Sequence, residues 1–295
     1  MSKKTLINLL IKIVISGFAL YYVFTHINLQ DIAAKVSSSN PYYLLAALFV
    51  YALSQLVSAF RLKVLFKYVP IRISHLENIK LYWLGLFYNL FLPGGVGGDG
   101  FKVYLLDKHL KTELKKTIGA ILSDRVSGLS IIVILLLIFL PFIDYNIPLK
   151  AYAWAGIPFV AAGFFLFLYL FNSKLTPAYW PTMGWAAWAQ LLQMLSAILI
   201  LKSLDTDASA MYDAYLFLFF LSAIAGSLPI TLGGIGAREV VFMWGAQYLG
   251  VNESSAIALS LLFYAASAVT ALPGLFFTIQ PSHILAKNNQ AITPD

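Results

Sequence analysis

The sequence predicts an all-α polytopic membrane protein, an inverted repeat of two halves with about six full spans and two re-entrant helical hairpins. Three observations carry that prediction. Of 295 residues, 60% are hydrophobic and 11% charged, against about 25% charged in a soluble domain. Most of such a chain must lie in lipid. Apolar runs recur that reach the roughly 20 residues needed to cross a bilayer. A glycine-rich break then occurs twice, once in each half.

The first break reads Pro93-Gly94-Gly95-Val96-Gly97-Gly98-Asp99-Gly100-Phe101-Lys102. The second reads Pro229-Ile230-Thr231-Leu232-Gly233-Gly234-Ile235-Gly236-Ala237-Arg238-Glu239. Aligning Gly94-Gly95-Val96-Gly97 with Gly233-Gly234-Ile235-Gly236 gives an offset of 139 residues, close to half the chain. Pro and Gly end helices, the first by lacking an N–H and the second through backbone entropy. In hydrocarbon a broken helix is tolerated only where protein or water covers the freed backbone. Two such breaks at matching places point to the binding site of a transporter. A nucleotide phosphate loop does not fit, because the Gly-Lys-Ser/Thr ending is missing.

Taken in order, residues 6–25 form a first span behind Lys3 and Lys4, retained because no small-residue cleavage site follows. Ser37-Ser38-Ser39-Asn40-Pro41 starts a second span over about 41–60. Residues 61–80 carry Arg61, Lys63, Lys67, Arg72 and Lys80 between apolar residues, a pattern that predicts an amphipathic helix lying on the membrane surface. Residues 79–92 are too short to span and, with the break and residues 101–110, form the first hairpin. Spans follow at about 117–140, 151–171 and 183–201. A second hairpin runs over 214–250 and a last span over 254–278. The whole is one transmembrane domain, 1–295, with halves of about 1–140 and 151–280 and a polar tail at 281–295.

Charge placement orients the chain. With the N-terminus in the cytoplasm and both hairpins returning to their own side, 14 of the 20 Lys and Arg residues are cytoplasmic. Lys35, Lys150 and Lys202 lie outside, while Lys12, Arg125 and Arg238 fall within membrane segments. The positive-inside rule favours that arrangement, in the inner membrane with both termini cytoplasmic. Three full spans separate the hairpins, so they enter from opposite faces. The net charge of +7 is thereby used on topology, and nothing points to nucleic acid. The chain has no cysteine, and its histidines (His26, His75, His109, His283) are scattered. Neither a cofactor nor a metal is implied.

The candidate site collects the charges near the breaks. An Arg or Asp at a helix centre costs about 2.5–3.5 kcal/mol on insertion scales, so these residues must face a wet cavity or one another. Lys102 and Arg238 stand at starts of half-helices, where free N–H groups and the dipole favour an anion. The predicted binding set is Gly94, Gly95, Gly97, Gly98, Asp99, Lys102, Asp124, Arg125, Gly233, Gly234, Gly236, Arg238 and Glu239. Asp99 and Asp124 are open to two readings, proton relays or salt-bridge partners. Tyr88, Asn89, Thr231, Gln190 and Gln193 are further polar candidates, each equally explained by helix packing. Tyr179, Trp180, Trp185 and Trp188 read as an aromatic belt.

The two glycine phrases, with Asp124-Arg125 in the third span, resemble the membrane domain of the lysylphosphatidylglycerol synthetase/flippase family over nearly the whole chain. The resemblance implies a flippase fold that moves a lipid between leaflets, without the soluble synthetase domain of the bifunctional members and hence without enzymatic activity. The implied partners are membrane lipids, an anionic phospholipid or a polyprenyl-linked lipid. A homo-oligomer and a separate lipid-modifying enzyme are further partners consistent with it. A proton- or ion-coupled carrier of a small solute, and a non-transporting partner of a lipid-modifying enzyme, are the alternative functions.

Overall fold

Helix caps written into the sequence set where several elements begin in the computed structural model. It describes residues 29–91, 97–144, 148, 150–204, 211–228, 234, 236–279 and 284–285, with 14, 17, 18, 21, 22 and 25 ahead of them. The elements are α1 (Leu29–Ser37), α2 (Pro41–Lys67), α3 (His75–Phe91), α4 (Gly97–Leu110), α5 (Leu114–Phe139), α6 (Gly156–Asn172), α7 (Tyr179–Ser203), α8 (Tyr212–Ser227), α9 (Ala237–Leu249), α10 (Glu253–Ala271) and α11 (Gly274–Ile279). No β-strand occurs among the described residues. The predicted first span, residues 6–25, falls largely outside them.

Asn40 caps α2 by accepting the Tyr42 N–H at 3.0 Å, with Pro41 at the first helical position. Ser74 and Glu77 form a reciprocal capping box ahead of α3, with bonds of 2.6 and 3.1 Å. Asn252 caps α10 by accepting the Ser255 N–H at 2.9 Å, just after Gly250 ends the preceding turn at φ +69°.

Among the described residues four helical stretches are long and apolar enough to cross a membrane: Pro41–Lys67, Leu114–Phe142, Lys150–Ser203 and Glu253–Ala271. The third has 54 residues, and the 3₁₀ turn Ser173–Ala178 divides it into α6 and α7. Tyr179 folds back there, stacking on Phe164 and donating its hydroxyl to the Ala161 carbonyl. It is therefore buried, unlike the exposed belt residues Trp180, Trp185 and Trp188.

The most extensive helix pair is α2 against α7. Small residues along it let the backbones approach, and Ser196 donates to the Ala47 carbonyl at 2.9 Å. The Asn40 N–H donates to the Ser203 carbonyl at 2.8 Å, tying the start of α2 to the end of α7. Asn78 of α3 donates to the Ala59 carbonyl at 2.7 Å, and Trp83 to that of Thr270 at 3.1 Å. The core holds fully buried Phe66, Phe164, Phe219, Phe220 and Phe242. Large apolar side chains such as Phe159, Leu170, Trp180 and Phe276 point outward. That surface would be a liability in water and suits hydrocarbon.

One predicted element is corrected. Residues 61–67 do not start a surface helix; they continue α2, which has 27 residues. The reason lies in one side chain: Arg61 is 5% exposed and bonds the Asp124 carboxylate of α5 at 2.7 Å. An interior partner removes the need for a headgroup.

Both glycine phrases interrupt helix pairs. α3 and α4 pack side by side, as do α8 and α9. With 16 and 13 residues, α8 and α9 reach roughly 24 and 20 Å at about 1.5 Å per residue, short of the ~30 Å hydrocarbon core.

Candidate functional site

Each helix pair is brought together by a glycine-to-glycine approach. A Cβ on Gly98 would lie 1.9 Å from the Gly85 carbonyl oxygen, so α4 touches the α3 backbone there. A Cβ on Gly234 would lie 2.9 Å from the Gly226 Cα, and Gly234 also sits at φ +86°. Only glycine meets both demands without strain. The same two helix glycines face the basic residues. Gly85 leaves room for the Lys102 stem, and Gly226 for that of Arg238.

These contacts set the correspondence of the two phrases. Gly97-Gly98-Asp99-Gly100-Phe101-Lys102 matches Gly233-Gly234-Ile235-Gly236-Ala237-Arg238 at an offset of 136. The offset of 139 matches the glycine runs instead. At 136 the basic residues coincide, and Ile235 stands where the first phrase has Asp99.

That difference governs the electrostatics. The Asp99 carboxylate accepts from Lys102 at 3.0 Å and from the Arg125 guanidinium. Lys102 also lies over the Tyr82 ring, 4.7 Å from its centroid. Asp124, next to Arg125, pairs with Arg61. The first half thus holds two carboxylates among three cations, all on α2, α4 and α5. Both Asp99 and Asp124 form ion pairs in this network.

In the second half Glu239 does not pair with Arg238. One carboxylate oxygen accepts the Gly236 N–H at 2.7 Å and the other accepts the Ser260 hydroxyl at 2.8 Å. It caps α9 and ties it to α10. Arg238 is left with its guanidinium over the Phe263 ring, 5.3 Å from the centroid. Its Nε is buried and has no hydrogen-bond partner. Leaving a buried polar group without a partner is costly.

Arg238 lines a cavity of about 220 Å³ with Tyr51, Asn89, Gly226, Tyr264 and Ser267. Asn89 belongs to the last turn of α3, so residues flanking both breaks meet here. The Asn89 side chain also accepts the Gly98 N–H at 2.8 Å, tying the end of α3 to the start of α4.

Of the predicted set, Gly98, Asp99, Lys102, Asp124 and Arg125 gather around one network, and Gly234, Gly236, Arg238 and Glu239 around the second break. Gly97 opens α4. Gly94, Gly95 and Gly233 lie outside the described residues, as does Thr231. Gln190 is buried on α7, away from the cavity lining, and Tyr88 packs its ring 4.5 Å from that of Phe101. Sequence reasoning missed Arg61, Tyr51, Tyr264, Ser267 and the helix glycines 85 and 226. An unmatched Asp124 inside an apolar helix was the available sign that a buried cation must exist. Among the described residues no His, Asp or Glu cluster is placed to hold a metal.

A bundle of long apolar helices with large apolar side chains on its outside defines an integral membrane protein. The chain belongs to the family described as lysylphosphatidylglycerol synthase TM region, which it matches over residues 9–181 and 172–274. It is 23% identical over 254 residues to a phosphatidylglycerol lysyltransferase of Staphylococcus haemolyticus, covering 83% of this chain and 30% of that protein. It is 26% identical over 201 residues to the phosphatidylglycerol lysyltransferase of Staphylococcus aureus strain COL, covering 65% of this chain and 23% of that protein. The chain therefore spans less than a third of the length of these relatives.

Proposed function

We propose that the protein is a lipid flippase, without catalytic activity of its own, that moves a phospholipid or lipid-linked anionic headgroup between leaflets. The observation that carries this reading is Arg238, a cation with a buried, unpartnered Nε in a cavity where the flanks of both helix breaks meet. The volume of about 220 Å³ lies below the roughly 300–1,000 Å³ of sites that enclose a whole small ligand. It suits a phosphate headgroup whose tails remain in the bilayer. Family membership supports a role in lipid handling, and the relatives' names point to phosphatidylglycerol as the first lipid to test.

The architecture we infer is an inverted repeat of two re-entrant hairpins meeting at their tips. The base of the first hairpin lies near the Lys67 end of α2, since Ile71, Arg72 and Leu110 share one cleft with Lys67. The second begins soon after Ser203, which is bonded at the opposite end of α2. Tyr215 bonds the Asn252 carbonyl, so the second hairpin returns to where it began. The positive-inside argument survives the burial of Arg61 and Lys102. Without them 12 basic residues remain inside, against three outside.

The test is a leaflet-specific assay in liposomes with fluorescent phosphatidylglycerol, other anionic lipids and a zwitterionic control. The expected result is transfer of an anionic lipid that Arg238→Gln lowers about 10- to 100-fold, the loss of one charge-assisted contact of about 1.5–3 kcal/mol. Undiminished transfer in that variant rules out the cavity as the site. Transfer of a soluble anion instead of a lipid replaces the flippase reading with a solute carrier.

A further inference from the structure

A second cationic hollow lies at the other end of α2, remote in sequence from both glycine breaks. It is a cleft of about 950 Å³ bordered by Lys63, Lys67, Arg72, Glu113, Lys116 and Lys174. Three loops bring these residues together: the turn after α2, the link between α4 and α5, and the 3₁₀ turn after α6. Five cations thus face one acid. Lys116 is occupied by Glu113, and Lys63 donates to the Ile73 carbonyl. Among the described residues no acidic side chain forms an ion pair with Lys67, Arg72 or Lys174. All three are exposed.

On its far side the Lys63–Lys67 pair borders a different hollow, of about 290 Å³, lined by Phe60, Val64, His75 and Trp185. Phe60 packs its ring 5.8 Å from that of Trp185 and 6.1 Å from that of His75. Two lysines therefore separate a wide basic cleft from an aromatic groove. Cations flanked by apolar aromatic surface match the junction of headgroup and tails in an amphiphile. A soluble anion would have no use for the groove. Four cations remain after the Lys116–Glu113 pairing, more than one phosphodiester can neutralise, and the cleft is several times the size of the central cavity.

We propose that this cleft is a standing site for a phospholipid headgroup carrying two phosphate groups, with its tails entering past Phe60 and Trp185. Basic pockets between helices at the cytoplasmic rim bind such headgroups, at about 1 kcal/mol per basic residue. The site does not depend on Arg238 or on lipid movement.

The experiment uses the full chain purified in detergent, titrated with fluorescent diphosphatidylglycerol. Competitors are phosphatidylglycerol, phosphatidylcholine and free pyrophosphate. The triple variant Lys67→Gln/Arg72→Gln/Lys174→Gln is expected to bind about 100-fold more weakly, three such contributions combined. Its thermal unfolding should be unchanged, because none of the three side chains is buried. Unchanged binding by the triple variant would overturn the proposal. So would phosphatidylglycerol competing equally at matched phosphate. Pyrophosphate displacing the lipid at matched concentration would make the ligand a soluble polyanion and overturn the lipid assignment.

Discussion

Lys102 and Arg238 occupy corresponding places in the two glycine phrases, yet Lys102 is ion-paired with Asp99 at 3.0 Å while Arg238 has no ion-pair partner among the described residues. The two helix pairs each bring two glycines together, but they differ in charge. The first holds its cations in a closed network with Asp99 and Asp124. In the second, Glu239 caps α9, and among the described residues no carboxylate forms an ion pair with Arg238.

Arg238 should therefore be a residue that the empty protein is better without. Burying an unsatisfied group costs about 1–3 kcal/mol. Arg238→Met keeps the stem beside Gly226 and removes the unpaired charge. Thermal unfolding in lipid-free detergent should shift upward by that amount while lipid transfer is lost. A lowered midpoint in the lipid-free state would mean that Arg238 is a structural partner.

The Arg61–Asp124 pair gives the opposite outcome. Both side chains are buried and join α2 to α5. Asp124→Ala strands Arg61 in the interior, at a cost of about 3–5 kcal/mol. The double change Arg61→Met/Asp124→Leu removes both charges at similar volume and should recover most of that loss. Denaturant or thermal unfolding of the three proteins measures it. If the double variant is as unstable as the single one, the pair is doing more than neutralising itself.

Neighbouring glycines in α4 separate packing from propensity. Gly98→Ala places a methyl against the Gly85 carbonyl, a backbone atom that cannot swing away. The helices must part, and overpacking of this kind costs about 3 kcal/mol or more. Gly100 has nothing within 4 Å of its would-be Cβ. Gly100→Ala should stabilise by about 0.5–1 kcal/mol through helix propensity alone. Equal effects of the two substitutions on the unfolding midpoint would contradict the close approach.

Much of this was legible in the residues themselves. Pro and Gly punctuate both breaks, so the helix pairs could be read before any coordinates, and the spans at 117–140, 183–201 and 254–278 fall within a few residues of α5, α7 and α10. Arg61 was illegible because its charges-between-apolars neighbourhood looks like a surface helix, and its partner Asp124 lies 63 residues away. The two phrases can be aligned in more than one register because each contains more than one glycine pair. The approach of Gly98 to Gly85 and of Gly234 to Gly226 picks out the offset of 136. Glu239 hid its role for a local reason: the usual capping signal has Ser or Thr three residues earlier, and here that place is Gly236.

The register itself can be tested by moving a charge. In the first phrase Asp99 lies three residues before Lys102 and neutralises it. In the second phrase that position is Ile235, three residues before Arg238. Ile235→Asp puts a carboxylate at the same sequence distance from Arg238 as Asp99 has from Lys102, and should supply Arg238 with a counter-ion. The cavity would then be neutral, and anionic lipid transfer should fall about as far as in Arg238→Gln, roughly 10- to 100-fold. Unfolding should show no loss of stability, because the new carboxylate arrives already paired. Ile235→Asn adds polarity without charge and should retain most of the transfer. Equal losses with Asp and Asn would show that side-chain polarity at 235 is what matters, and the electrostatic account of the cavity would have to be abandoned.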